Sequence, residues 1–211
     1  MSPAELRAQI VELSRSLFER GYSVGSSGNI SVAVEGGGFL VTPTNSCLGR
    51  LDADAISLLD ADWNHIGGDA PSKEVFLHRA FYESRPGTGA VVHLHSTYAT
   101  ALSCLSDTDP ANCIPPITPY VVMRVGTVRM VDYAMPGDPV TGDLIRGLDG
   151  QAAAVLLANH GPVVAGANLT AAVYAAEELE ETAKLVFLMR GLASRQLTAE
   201  QVAALNARFK R

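Results

Sequence analysis

The chain has little with which to bind nucleic acid, cross a membrane or brace itself with disulfides. Its 16 Lys and Arg are outnumbered by 22 Asp and Glu, for a formal net charge of −6. Phosphate backbones are held by basic patches, so nucleic acid is excluded as the main partner. No apolar stretch reaches the roughly 20 residues of a membrane span, so no membrane segment is expected. The opening MSPAELRAQI lacks a basic region followed by an apolar run, so no signal peptide is visible. Cys47, Cys104 and Cys113 are odd in number and widely spaced, which fits reduced cytoplasmic thiols better than a disulfide framework. No repeat, linker or low-complexity tract is present. Hydrophobic residues make up 47% of the 211, enough for one large core, and one domain over 1–211 is expected. An anionic small-molecule substrate has to be held locally, against the sign of the global field.

What is there is mostly short and alternating. Ser2, Pro3 and Glu5 form a helix start with a capping box, Leu6, Ile10, Leu13 and Leu17 supply an apolar stripe, and Gly21 ends it. Residues 21–46 read as short strands broken by Gly and Ser. Leu51 to Asp62 reads as a connecting segment or short helix. A second helix is expected from Pro71, stopped by Arg85-Pro86-Gly87. GAVVHLHS reads as a strand, STYATALSCL as a turn into helix and NCIPPITPY as a loop. VVMRVGTVRMVDY resembles another strand or hairpin, and AAAVLLANHG a strand ending at a Gly turn. Asn168 or Thr170 is expected to cap a long helix through Met189, with Gly191 as its stop. These elements make one α/β domain, with helices flanking a sheet of short strands.

Side chains at i and i+2 of a strand leave on one face. His93 and His95 in VVHLHS therefore point the same way, as two arms of a pincer for a borderline metal such as zinc. The same spacing also suits two histidines meeting polar contacts at a sheet edge. A third candidate ligand, His160 in LLANHGP, stands where a strand gives way to a turn, a place where side chains face clefts. His65 in a polar turn and His78 on the second helix are expected to be structural or exposed. Glu74 lies in the first turn of the helix PSKE, where the helix dipole favours a carboxylate. Glu177, Glu178, Glu180 and Glu181 read as the solvated face of the last helix. Three polar loops suit a phosphate: SSGN (Ser26 to Asn29), TPTNS (Thr42 to Ser46) and Ser72-Lys73 at a helix start, though each alone also fits an ordinary turn or cap.

In this order GNIS, TPTNS, PSKE, HLHS and ANHG resemble the class II aldolase/adducin family over nearly the whole chain. The longer stretches GDAPSKEVFLH, VVHLHSTYATALSCL, IPPITPYVVMRVG, YAMPGDP and LLANHGPVV look most like its 3-oxo-tetronate 4-phosphate decarboxylase branch. The resemblance implies a central, mostly antiparallel sheet flanked by helices. It implies that His93, His95 and His160 bind Zn2+, with Mn2+ or Co2+ as substitutes, and that Glu74 is the acid/base and can approach the metal. Gly28, Asn29, Thr44, Asn45, Ser72 and Lys73 match phosphate-binding positions; Lys73 departs from the aldolases, which tend to have a second serine there. Tyr120 matches a tyrosine that aldolases present from a neighbouring subunit of a homotetramer. Their C-terminal tyrosine has no counterpart in LNARFKR. The implied reaction is decarboxylation of a phosphorylated four-carbon sugar acid to dihydroxyacetone phosphate and CO2 through a metal-bound enediolate, in the cytoplasm. The alternatives are a sugar-phosphate aldolase acting on fuculose 1-phosphate, a 4-epimerase, and a non-catalytic adducin-like interaction module.

Overall fold

A computed structural model describes residues 1–209. The first helix, α1 (Pro3–Glu19), begins with the capping box read from Ser2 and Glu5. Its buried stripe is Leu6, Ile10, Ser14 and Leu17, with Ser14 taking the core position expected of Leu13. Two strands follow, β1 (Asn29–Ala33) and β2 (Phe39–Val41), then a 3₁₀ turn at Leu48–Arg50. The segment expected as connector or short helix instead contributes β3 (Ser57–Leu59), paired to both β2 and β4 (His65–Gly67). Ser57 and Leu59 are buried on this strand, so sheet pairing decides its conformation.

The second helix, α2, spans Val75–Ser84 and so starts four residues later than Pro71. Backbone pairing explains the delay. Thr44 donates to the Ala70 carbonyl at 2.9 Å and Ser72 to that of Thr42 at 3.2 Å, while Pro43 and Pro71 form a bridge. The chain through Pro71 and Ser72 is therefore held extended against the Thr42–Thr44 loop, and Glu74 becomes the residue preceding the helix rather than a member of its first turn. Next come β5 (Ala90–His93), α3 (Thr97–Ser103) and α4 (Pro119–Arg124). VVMR is thus helical and not a strand: Thr118 caps it by accepting from the Val121 amide, and Pro119 fits its first turn. The rest of that stretch forms β6 (Val128–Val131), and α5 (Val140–Arg146), β7 (Ala154–Leu157), β8 (Gly161–Gly166), α6 (Leu169–Leu188) and α7 (Ala199–Arg208) complete the order. Of these, α5, β8 and α7 carry no expectation from sequence.

All eight strands join one sheet in the order β4-β3-β2-β1-β5-β8-β7-β6. Every neighbouring pair is antiparallel except β6 and β7. One face packs the larger core, where Ile30, Val92, Leu156 and Val164 meet residues of α1, α3 and α6. The other face packs Val91, Val155 and Val163 against Leu77 and Phe81 of α2 and Ile145 of α5. The strands β1, β5 and β8 lie inside the sheet, each paired on both sides, which makes a rigid place to mount a site.

The acidic face of α6 is only partly solvated. Glu180 is 7% exposed, and its two carboxylate oxygens accept from the backbone amides of Tyr98 and Ala99, each at 2.8 Å. Both amides belong to the first turn of α3, where unpaired donors and the dipole favour an anion. Glu177 pairs with Arg20, and Glu181 accepts from Tyr22. Asn168 caps α6, and Gly191 beyond it has φ +78°. No described helix is long and apolar enough to cross a membrane.

Candidate metal centre

His93 is the last residue of β5, opposite Asn29 on β1 and Val163 on β8, and it is fully buried. The strand assignment stops there, but Leu94 still donates to the Pro162 carbonyl at 3.1 Å. His95 therefore keeps the extended alternation and reaches the same face as His93. His160 comes from the turn between β7 and β8, closed by its amide on the Leu157 carbonyl at 3.0 Å. The glycine after it is required: Gly161 has φ +153°, and a Cβ there would lie 2.5 Å from the Leu94 carbonyl oxygen. A larger residue would push the turn, and His160 with it, away from His95.

The three rings meet through their Nε2 atoms. His95 Nε2 lies 3.2 Å from that of His93 and 3.1 Å from that of His160, with the rings edge to face. Three nitrogens bound at about 2.0–2.1 Å around a tetrahedral ion stand about 3.3 Å apart, so the spacing fits a first-row divalent metal. The donor chemistry fits as well. His93 Nδ1 donates to the Pro162 carbonyl at 2.9 Å, which leaves its Nε2 as the lone-pair nitrogen facing the other two. Burial pushes His93 down to about 3 and lowers His95 as well, so both are neutral, as ligands must be. These three residues form the candidate metal cluster among the described residues. Three protein ligands with no cysteine leave room for a further ligand, as in catalytic rather than structural sites.

Glu74 completes the rim. Its Oε2 lies 3.5 Å from His93 Nε2 and its Oε1 3.5 Å from His160 Nε2. Its side chain caps no helix; instead Oε2 accepts from Asn29 Nδ2 at 2.9 Å. Burial alone would raise this carboxyl. The hydrogen bond from Asn29 opposes it, and the net direction for Glu74 is below the usual carboxylate range. Glu74 is thus ionised at rest. A shallow cleft lined by Glu74, His160, Leu77, Asp132, Met135 and Pro136 opens beside it.

Main-chain hydrogen bonds stitch the three polar loops together beside the histidines. Ile30 donates to the Thr42 hydroxyl at 3.0 Å, and Ser72 and Thr44 complete the link described above. Gly28 has φ +81°, and a Cβ there would stand 2.9 Å from the His93 carbonyl oxygen, so the loop presses directly on β5. Thr44 is half-buried, Asn45 exposed with φ 56°, Lys73 exposed, and Ser72 buried with its hydroxyl accepting from the Glu74 amide at 3.2 Å. Thr42, the other threonine of its loop, is fully buried and committed to Ile30. Tyr120 stands apart on α4. It is 55% exposed, with the Arg124 guanidinium 5.9 Å from its ring centroid, and no hydrogen bond or ring contact joins it to the three histidines among the described residues.

A family model for the class II aldolase and adducin N-terminal domain matches residues 8–187. The chain belongs to the class II aldolase/adducin family. It is 51% identical over 205 residues to a 3-oxo-tetronate 4-phosphate decarboxylase of Pectobacterium atrosepticum, covering 97% of this chain and 94% of that one. An L-fuculose phosphate aldolase of Methanocaldococcus jannaschii is 36% identical over 182 residues, covering 86% and 96%. Among solved structures, YgbL of Klebsiella pneumoniae superposes with a TM-score of 0.94 at 50% identity, covering 97% of this chain and 99% of that one. The fold built above, one α/β domain with a mostly antiparallel sheet flanked by helices, is the class II aldolase fold.

His65 is exposed on β4 and His78 fully buried on α2, so the expectation of structural or exposed places holds for both. What sequence reasoning missed is where His78 leads. Its Nε2 lies 2.6 Å from Asn29 Oδ1, one residue away from Glu74 through hydrogen bonds. A separation of 49 positions between His78 and Asn29 leaves no periodic signal. Burial pushes His78 down to about 4 against an ordinary 6.5, despite the opposing pull of Glu74. Below pH 6.5 the unfolded chain takes up a proton that the folded chain refuses, so stability is full above 6.5 and falls as pH drops towards 4. Urea midpoints measured from pH 7.5 to 4 on metal-free protein should fall over that window, His93 and His95 adding to the loss in the same direction; a flat profile would show that these buried rings are not held neutral.

Proposed function

We propose that the chain is a metal-dependent carboxy-lyase that converts a 3-oxo-tetronate 4-phosphate into dihydroxyacetone phosphate and CO2. The observation that carries the choice of reaction is identity: about half of all positions over nearly the full length are shared with a 3-oxo-tetronate 4-phosphate decarboxylase, against about a third with a fuculose phosphate aldolase. The convergence of His93, His95 and His160 beside Glu74 supports chemistry at a metal rather than a partner-binding module.

A divalent metal, which we take to be zinc, would be held by the three imidazoles and would supply Lewis acidity at the substrate ketone, making it an electron sink. No Schiff-base lysine is then needed, and Lys73 is free to serve as a charge. The bond between C1 and C2 breaks, its electron pair passes into the neighbouring ketone as an enediolate, and C1 leaves as CO2. One proton must then reach C2. Glu74 is ionised at rest, so it takes that proton from solvent and delivers it to carbon. Gly28, Thr44, Asn45, Ser72 and Lys73 hold the phosphate and so orient C2 towards Glu74. Asn29, matched to the same function, has its carboxamide shared between Glu74 and His78, and so orients the carboxylate as well. We take Tyr120, exposed on α4, to serve a neighbouring subunit's site in a cytoplasmic homotetramer.

Turnover in D2O tests the proton step. The product should carry one deuterium at its hydroxymethyl carbon, in a single configuration, when the reaction is quenched early and read by NMR. A racemic label, or none, would contradict delivery by one fixed group.

A further inference from the structure

A fourth histidine, His78, stands behind the first three, and its hydrogen bonds run in one direction. Asn29 Nδ2 faces the Glu74 carboxylate, which only accepts, so Asn29 Oδ1 faces His78. Oδ1 also only accepts, so His78 Nε2 carries the proton. Held neutral by burial, the ring then has a bare Nδ1, which accepts from the Ser31 hydroxyl at 2.8 Å. The Tyr82 hydroxyl lies 3.1 Å from Ser31 Oγ and donates to it. Tyr82 is anchored by Phe39 and Trp63, at centroid distances of 4.7 and 5.6 Å, and burial raises its phenol, keeping it a donor. Every link is thus donor to acceptor from Tyr82 through Ser31, His78 and Asn29 to Glu74 Oε2.

We propose that His78 is a positioning residue: it fixes the orientation of the Asn29 carboxamide, and through it aims Glu74 at the reacting carbon, while making no hydrogen bond to Glu74 or to the three imidazoles. The proposal rests on the reading of Glu74 as the proton-transfer group. An Asn side chain can turn its amide over, and with the acceptor end towards Glu74 two oxygens would face each other. The His78 N–H makes that arrangement the wrong one at both ends, because the NH2 group would then meet the N–H. Outer-shell partners of this kind are commonly worth ~10- to 100-fold in activity when lost.

Two substitutions separate this role from packing. His78→Asn can still accept from Ser31 but cannot reach Asn29; His78→Gln places an amide N–H near the lost Nε2. With metal content and KM close to those of the parent chain, His78→Asn should lower kcat by ~10- to 100-fold and His78→Gln should restore most of it. In an Asn29→Ala background, His78→Asn should cost little more, because residues acting through one another are non-additive. A second readout needs no turnover. In metal-free protein labelled with 15N, the Asn29 side-chain amide should be rigid in the parent and in His78→Gln but mobile in His78→Asn. Equal loss of kcat in both variants, full additivity with Asn29→Ala, or an Asn29 amide indifferent to His78 would each overturn the proposal. If the parent chain released no CO2, the decarboxylase reading would fail, and the amide measurement would still decide the linkage.

Discussion

Glu74→Gln should leave a folded, metal-loaded protein whose kcat is lower by roughly 10²- to 10⁴-fold, the usual weight of a positioned acid or base. Gln matches Glu in size, and its carbonyl oxygen can still accept from Asn29 Nδ2, the 2.9 Å contact that orients the native group. What it cannot do is take a proton from solvent and pass it on. The loss should therefore fall on kcat, with KM changed little, because Glu74 is not among the residues proposed to hold the phosphate. Stopped-flow release of CO2, alongside metal analysis of the same sample, checks both halves. Undiminished turnover would remove Glu74 from the proton-transfer role, and loss of metal together with turnover would make it mainly a ligand.

The second large effect is expected at His93. His93→Ala should lose stoichiometric metal and with it all detectable CO2 release, since two imidazoles remain where catalytic sites normally take three protein ligands. His93 is the fully buried member of the three, tied by Nδ1 to the Pro162 carbonyl across β8. Its removal also opens a cavity, and truncations of large core side chains commonly cost about 2–5 kcal/mol. His95→Ala, at a half-buried position without that backbone tie, separates the two consequences: it should lose metal with a smaller fall in urea midpoint. Metal content by atomic emission after dialysis, with circular dichroism to confirm folding, reads the result. Full metal occupancy in either variant would contradict the ligand set.

Elements with their signals in neighbouring residues were legible before folding. The capping box at Ser2 and Glu5, the Asn168 cap and the Gly191 stop all stand where the sequence put them. Alternation puts His93 and His95 on one face without choosing between a metal pincer and polar contacts at a sheet edge, and that shared face survives even though β5 ends at His93. Signals that depend on distant pairing failed. Nothing local in PSKE says that Pro71 and Ser72 are tied to the Thr42–Thr44 loop, so the helix start was placed four residues early. In VVMR, β-branched residues suggested a strand, whereas the Thr118 cap and Pro119 favour a helix on α6 and α7. Glu180 looked like one more surface carboxylate among four; only the approach of α3 to α6 makes it the acceptor for two backbone amides. Asn29, matched to phosphate by its motif, is also the link between Glu74 and His78, a role set entirely by which strand lies beside which helix.

The proposed reaction breaks a bond to a carboxylate carbon and not one to an aldehyde carbon. One measurement addresses it directly: kcat/KM of the zinc-loaded chain for a 3-oxo-tetronate 4-phosphate and for fuculose 1-phosphate, in parallel, following CO2, dihydroxyacetone phosphate and aldehyde. CO2 and dihydroxyacetone phosphate should appear in equal amounts from the first substrate, with no aldehyde from the second. Cleavage of the sugar phosphate with no CO2 from the oxo acid would contradict the proposed reaction.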